Sequence, residues 1–320
     1  MRFHKYHGAG NDFLIADGRG INLELDADLI SSLCDRHTGF GADGVMVLED
    51  SGDHDFRMRY YNSDGSGGMM CGNGGRCIVA FAADLGFTHF SFEAPDGPHE
   101  AELLGKEAGI PEISCSKAFS HEPRIVRLKM KDVDGAVAWP RPGDRPSAAG
   151  PDDWFLDTGT RHLVRFVKDI ESQDVTGEGA ILRHDPRFAP VGVNVNFVKV
   201  ERPCCSGEND AAISVRTFEK GVEDETLACG TGITASAMAS WIAYRVAVSR
   251  ADSSAGYNRS GEPDTVTEPE PVVCSVRARI AELNVTFTPS LILRPGESPE
   301  FSAVDVFLTG PAVFVGTAEC

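Results

Sequence analysis

Basic residues are scarce in this 320-residue chain: 30 lysines and arginines face 48 aspartates and glutamates, giving a formal charge of −18 and a pI near 4.9. A surface of that sign repels phosphate backbones and anionic membrane faces, so neither nucleic acid nor membrane is expected as a partner. Long apolar runs are also missing. Ile78–Ala83 is among the longest and falls far short of the roughly 20 residues a spanning helix needs. The opening Met1–His7 has no apolar core of the kind a secretion signal carries. There is no Cys-x-x-Cys pair, and the nine cysteines are odd in number and irregularly spaced. Free thiols in a reducing compartment, by default the cytoplasm, are therefore expected rather than a disulfide framework. No cysteine or histidine pair has finger or ribbon spacing, so no metal is expected. The chain has no Walker A sequence and no lysine motif for pyridoxal phosphate, which points to chemistry without a cofactor.

What remains is ordinary globular composition, 42% hydrophobic and 24% charged, in a chain long enough for two domains. Asp26 is placed to cap a helix running to about Arg36, with Gly39 past its end. Gly44–Leu48 reads as a buried strand and Phe56–Tyr61 as an alternating one. A glycine-rich turn over 65–75 launches a helix through Asp84, stopped by Gly86, and 89–130 read as short strands. The Pro/Gly/Asp-rich stretch 134–153 reads as loop near a domain divide. Strands follow at Phe197–Val200 and Ile213–Arg216, then a helix over about 230–248. Residues 249–271 read as a solvated insertion, and Val304–Val315 as a final strand.

One internal similarity organises the rest. Met70-Cys71-Gly72-Asn73-Gly74 and Ala228-Cys229-Gly230-Thr231-Gly232 share a Cys-Gly-x-Gly core 158 residues apart, each opening a helix of small and apolar residues. Arg59 lies 12 residues before the first cysteine and Arg216 lies 13 before the second, both in strand-like runs. The repeat suggests two similar domains, each presenting a cysteine at a helix N-terminus. Unpaired N–H groups and the helix dipole there favour a thiolate and can hold a carboxylate. Two such turns facing each other, sulfurs roughly 6–7 Å apart, would let one sulfur remove a proton while the other delivers one to the opposite face. The result is inversion of a stereocentre in a small-molecule substrate. A lone cysteine in such a turn is more often inert packing; the duplication argues against that here. Cys34, Cys77, Cys115, Cys204, Cys205, Cys274 and Cys320 lack the context and are expected to be packing or surface residues. Gly39–Gly44 fits the dinucleotide pattern GxGxxG, but it follows a helix and precedes a strand, so it reads as a tight turn.

Several segments carry a resemblance. His7-Gly8-Ala9-Gly10-Asn11-Asp12-Phe13, Cys34-Asp35-Arg36-His37 with Gly41-Ala42-Asp43, Tyr61–Ser66, Met70–Cys77, Val193–Val198, Val215–Glu219 with Glu225–Gly232, and Thr309–Ala312 resemble diaminopimelate epimerases in content and order. The resemblance implies a pyridoxal-independent amino-acid epimerase that interconverts LL- and meso-diaminopimelate in lysine and peptidoglycan precursor synthesis. It implies an α/β (α+β) fold of two pseudo-symmetric domains, each a curved sheet around a central helix, with the active site in the cleft between. The domains would be 1–125 plus 304–320, and 126–303. By the same resemblance Cys71 and Cys229 are the base and acid, Glu219 matches a glutamate near the reacting centre, His162 matches the histidine of the family's Gly-Asn-Pro-His segment and joins them as a catalytic residue, and Gly72-Asn73 and Gly230-Thr231 hold the reacting carboxylate and amine. Asn11, Asn62 and Asn194 match substrate-binding asparagines, though asparagine in loops is otherwise a turn former. A homodimer is also implied.

Four positions depart from the family pattern. Thr160 and Arg161 stand where Asn-Pro is expected before His162, Lys220 where an arginine is expected, and Gly44 where a glutamine is common. The Asn and Arg of the family hold the distal end of diaminopimelate. Lysine offers a point charge where arginine offers a planar fork, so a different amino-acid substrate on the same scaffold is the main alternative. A cysteine hydrolase using His162 as base is a weaker one.

Overall fold

The structure is a computed structural model that describes residues 1–68, 70–105, 122–139, 153–203, 211–254, 264–267, 271–294, 297 and 299–320. The chain divides into two compact units. The first comprises Met1–Lys129, Ile280–Glu282 and Thr309–Cys320, the second Met130–Arg279 and Leu283–Leu308.

The first unit opens with β1 (Arg2–Gly8) and β2 (Asn11–Asp17), an antiparallel pair joined by a tight turn in which Ala9 and Gly10 both have positive φ. Asp26 then caps α1 (Ala27–Cys34) by accepting from the Leu29 N–H, which returns the chain to β3 (Gly44–Glu49), parallel to β2. β4 (Phe56–Asn62) pairs antiparallel with β3 and leads into α2 (Gly72–Asp84). β5 (Phe90–Ala94) runs parallel to β4, and β6 (Gly97–Leu104) and β7 (Arg124–Lys129) complete a meander. The chain end, over Val313–Glu319, pairs antiparallel with β1. Helix α2 packs against β1, β2, β3, β6 and β7, and every residue from Gly72 to Ala82 is buried. A helix enclosed on all sides has no polar face to keep, which is why its sequence is nearly all small or apolar.

The second unit repeats this order. After β8 (Val133–Asp134) and β9 (Ala136–Trp139), β10 (Asp153–Asp157) and β11 (Arg161–Phe166) form a hairpin that turns through Gly159 at positive φ. Asp174 caps α3 (Val175–Arg183), and β12 (Asn194–Arg202) returns parallel to β11. β13 (Ala211–Glu219) is antiparallel to β12 and carries a short partner, β14 (Asp224–Thr226). Then come α4 (Gly230–Ser254), β15 (Asp264–Thr267), β16 (Val272–Arg277) parallel to β13, β17 (Glu282–Leu293), which belongs to this unit from Leu283 on, and β18 (Glu300–Glu319), which belongs to it up to Leu308. α4 packs on β10, β11, β12, β13 and β16 and buries Ile233, Ala235, Met238, Trp241 and Ile242.

Hairpin, capped short helix, parallel return, antiparallel partner and long buried helix thus occur twice. The two arginines flagged by the repeat hold equivalent posts. Arg59 bonds the Leu23 carbonyl and Glu49, tying the segment before α1 to β4. Arg216 grips Glu225 and donates to the carbonyls of Ile170 (2.9 Å) and Gln173 (3.0 Å), tying the segment before α3 to β13.

Three expectations need correction. The first helix stops at Cys34, two residues early, because the Asp35 carboxylate accepts from the His37 and Thr38 N–H groups and holds a turn that a helix would forbid. The stretch from 134 contains strand β9, paired with β10; residues 140–152 lie outside the described ones. Residues 249–271 are not solely a solvated insertion. α4 extends through Ser254, and β15 lies within the segment, paired antiparallel with β17; the remainder up to 270 lies outside the described residues. The seven non-motif cysteines divide: Cys34, Cys77 and Cys274 are buried and Cys320 is exposed, none of the four in a disulfide, while Cys115, Cys204 and Cys205 lie outside the described residues. No helix among the described residues is long and apolar enough to cross a membrane.

Candidate active site

In the first unit the site is built at the start of α2. Cys71 has extended backbone and occupies the N-cap, its sulfur accepting from the Gly74 N–H at 3.3 Å. It takes the role usually filled by serine or aspartate, so an orphan helix N–H is spent on sulfur. Asn11, at the start of β2, donates to Asp43 (2.6 Å), which fixes its amide so that Oδ1 faces the Cys71 sulfur at 3.9 Å. Asp43 is held by Arg36, which also bonds Asp12, and Lys5 completes the group. Burial would raise the Asp12 carboxyl, but the bonds from Arg36 and Lys5 more than offset it and hold it below the usual range. Asn73 is buried, its Oδ1 accepting from Arg76 at 2.8 Å, and its carbonyl would lie 2.8 Å from any Cβ placed on Gly8. Gly8 is therefore a close-approach glycine that lets β1 pass the first turn of α2. Asn62 ends β4, bonded to Ser66 in the turn that leads towards Cys71. Gly44 has no room for the family's glutamine, since a Cβ there would meet the Tyr61 carbonyl at 2.6 Å and the Tyr60 ring at 2.7 Å.

In the second unit the corresponding helix start is lined by hydroxyls. The Cys229 carbonyl accepts the Ile233 N–H, and its sulfur lies 3.5 Å from the Thr231 hydroxyl. That hydroxyl also bonds His162 Nε2 (3.0 Å) and the Thr160 hydroxyl (3.2 Å), and Thr160 bonds the same ring nitrogen at 2.9 Å. Asn194, paired with His162 across the parallel strands, reaches Thr160 with its Nδ2 (3.4 Å) and accepts the Lys220 backbone N–H with its Oδ1 (2.8 Å). Glu219, at the end of β13, accepts from the Thr226 hydroxyl at 2.8 Å. Cys229, Thr231, Thr160, His162 and Asn194 thus form one hydrogen-bonded group, with Lys220 joined through its backbone.

His162 is fully enclosed, and burial, helped by the charge on Lys220, drives its pKa down to about 3. It is neutral at pH 7. Its tautomer follows from a residue the sequence reading passed over. Thr217 donates to Asn196 Oδ1 at 2.9 Å, so Asn196 Nδ2 faces the ring and donates to Nδ1 at 3.1 Å. Nδ1 accepts, the ring proton lies on Nε2, and it points at the two threonine hydroxyls. The signal for Asn196 was available: it is an asparagine two positions after Asn194, on the same strand face, in an otherwise apolar run. Arg76 was missed in the same way, the single basic residue in a helix of mostly small and apolar ones.

The sequence pattern of the diaminopimelate epimerase family matches residues 3–111 and 154–256. A diaminopimelate epimerase of Chlorobaculum tepidum is 40% identical over 241 residues, covering 73% of this chain and 81% of its own. Those of Aquifex aeolicus (35% identical over 254 residues, 76% and 82%) and Gemmatimonas aurantiaca (35% over 279 residues, 84% and 91%) are similar at nearly the same level. Among solved structures, a phenazine biosynthesis protein of the PhzF family from Bacillus anthracis superposes with a TM-score of 0.60 at 13% identity, covering 100% of this chain and 98% of its own. A probable proline racemase from Agrobacterium radiobacter does so at 0.54 and 16%, covering 100% and 92%. At such identities these two speak for the fold alone: an α+β architecture, rich in strands, of the epimerase type. With two cysteine-headed helices on that fold and relatives at 35–40% identity over most of its length, this chain belongs to the diaminopimelate epimerase family.

Proposed function

We propose that this protein interconverts LL- and meso-diaminopimelate without pyridoxal phosphate, with Cys71 and Cys229 as the two acid–base groups. The observation that carries the reading is the placement of a sulfur at the head of each buried helix, Cys71 capping α2 through the Gly74 N–H and Cys229 bonded to Thr231 at the start of α4. The thiolate of one cysteine takes the α-proton. The electron pair left on carbon spreads into the substrate carboxylate, where first-turn N–H groups of a helix meet the added charge. The thiol of the other cysteine gives its proton to the opposite face of that carbon. The turnover ends with the configuration inverted and the two sulfurs exchanged in protonation, and no external redox partner is consumed.

In this reading Gly72, Asn73, Gly230 and Thr231 hold the reacting carboxylate and amine, and Asn11, Asn62, Asn194, Thr160 and Lys220 contact the substrate. His162 acts through Thr231, and Glu219 lies beside the reacting centre. The acidic surface fits a small, zwitterionic substrate and a cytoplasmic enzyme; a homodimer belongs to the same proposal and is tested by sedimentation. Incubation with LL-diaminopimelate in D₂O should place deuterium at one α-carbon as the meso form accumulates. Cys71→Ala and Cys229→Ala should each abolish conversion. Exchange into a different amino acid with none into diaminopimelate would overturn the substrate, and epimerisation surviving either substitution would overturn the two-sulfur scheme.

A further inference from the structure

Arg76 is completely enclosed, one turn into α2 below Cys71. Its guanidinium meets only neutral oxygens: Nη1 donates to the Gly72 carbonyl at 3.1 Å, Nη2 to Asn73 Oδ1 at 2.8 Å, and Nε to the Pro311 carbonyl at 3.5 Å. Among the described residues no carboxylate pairs with it. A buried cation without an anion is unfavourable unless an anion arrives close by. The bonds to Gly72 and Asn73 hold the fork towards the helix N-terminus, which is where the proposed chemistry generates a thiolate and binds a carboxylate.

The other charges around that terminus cancel. Asp12 and Asp43 on the β2 side are matched by Lys5 and Arg36. From the β6 side Asp96 is bonded by His99 and by the Met70 backbone N–H. His7, on β1, is kept towards its neutral form by burial. At the far end of the helix Arg124, from β7, is joined to Asp84. Among the described residues around this terminus, Arg76 is a positive charge with no carboxylate bonded to it. We propose that Arg76 is a positioning residue whose buried charge stabilises the Cys71 thiolate and the substrate carboxylate held by the first turn of α2, while its fork fixes the Asn73 amide. The anion it serves is any carboxylate seated on that turn.

The proposal rests on the acid–base role given to Cys71, but its test needs no substrate and so fails separately from that role. Five residues of helix put the Arg76 backbone roughly 7–8 Å along the axis from the cap, and its fork turns back towards that cap. At an effective dielectric near 20, a charge at that distance shifts a thiol by about one to two pH units. Cys71 labelling by iodoacetamide, followed by mass spectrometry as a function of pH, should show its midpoint raised by about that much in Arg76→Met. In Arg76→Lys, which keeps the charge, it should move by less than half as much. A folded Arg76→Met with an unmoved midpoint, or an Arg76→Lys displaced as far as Arg76→Met, would reduce Arg76 to a packing residue. Should Arg76→Met not fold, the unmodified protein decides. Anionic iodoacetate, measured against neutral iodoacetamide, should be favoured at Cys71 by about tenfold over a free thiol. A ratio at or below that of the free thiol overturns the proposal.

Discussion

Replacing Asn196 by aspartate should reverse the hydrogen bonds that end at Cys229. The amide presents an N–H to His162 Nδ1 because Thr217 donates to its oxygen, and the ring proton is therefore on Nε2, aimed at Thr160 and Thr231. With those hydroxyls supplied by the ring, the Thr231 proton is left for the Cys229 sulfur at 3.5 Å. A carboxylate at 196 can only accept. The ring must then carry a proton on Nδ1, either by changing tautomer or by becoming an imidazolium. In the neutral case Nε2 turns acceptor and takes the Thr231 proton from the sulfur. A hydrogen bond to a charged group is worth about 1.5–3 kcal/mol, so the thiolate should be depleted roughly ten- to a hundred-fold, and kcat with it. Below its new pKa the charged ring regains an N–H on Nε2. A carboxylate about 4 Å away at an effective dielectric near 20 adds about 4 kcal/mol, or three pH units, which moves His162 from about 3 to about 6. Asn196→Asp should therefore be most impaired above pH 6 and partly recover below it, with the ring nitrogens exchanging roles in the ¹⁵N spectrum. An unchanged Nε2–H ring together with a kcat within twofold of the parent would refute the relay.

His162 should also make the fold acid-sensitive. Its folded pKa lies below the unfolded 6.5, so the unfolded chain binds a proton the native state refuses, and stability falls from about pH 6.5 downwards towards about pH 3. At pH 5 the loss should be about 2 kcal/mol relative to pH 7, and urea midpoints of His162→Gln should lack that component. Gly8→Ala puts a methyl group 2.8 Å from the Asn73 carbonyl and should cost about 1–3 kcal/mol by denaturation, with a larger fractional loss of kcat because the first turn of α2 must move. Asp174→Ala removes the cap of α3 and should destabilise by about 1 kcal/mol with kcat unaltered, a control for effects that travel through stability alone.

The parts legible in the sequence were those set by local chemistry. Asp26 declared the start of α1, the apolar run of Gly44–Leu48 declared β3, and the two Cys-Gly-x-Gly turns declared α2 and α4, because caps, periodicity and glycine act over a few residues. α3 was missed although Asp174 caps it as Asp26 caps α1, since Gly177 and Gly179 disguise its period; Gly179 is there because the Phe218 ring leaves no room for a Cβ. β9 and β15 hid in polar, proline-rich surroundings, where pairing with distant strands outweighs composition. For the site, residue types were legible and partners were not. Thr160 stands where the family pattern has a substrate-binding asparagine, yet the fold joins it to His162, Thr231 and Asn194. No spacing rule places 160, 162, 194 and 231 together. Parallel pairing of β11 with β12 and the packing of α4 against them do.

The two sulfurs differ in what faces them, and under the proposed two-sulfur mechanism that difference decides which of them rests as the base. If both rested as thiols there would be no base, and if both rested as thiolates there would be no acid. Asn11, its amide oriented by Asp43, offers Cys71 an oxygen, and an oxygen favours S–H. Thr231, supplied with a proton by His162, offers Cys229 an O–H, which favours sulfur as the anion. In the unliganded enzyme Cys229 should therefore titrate at lower pH than Cys71, and the two midpoints should converge in Asn11→Asp only if that carboxyl is itself protonated and able to donate. Residue-resolved alkylation against pH measures both midpoints at once. Cys71 titrating first would mean that the buried charge of Arg76 and the helix N-terminus outweigh the Asn11 oxygen, and the resting base would then be the sulfur of the first unit.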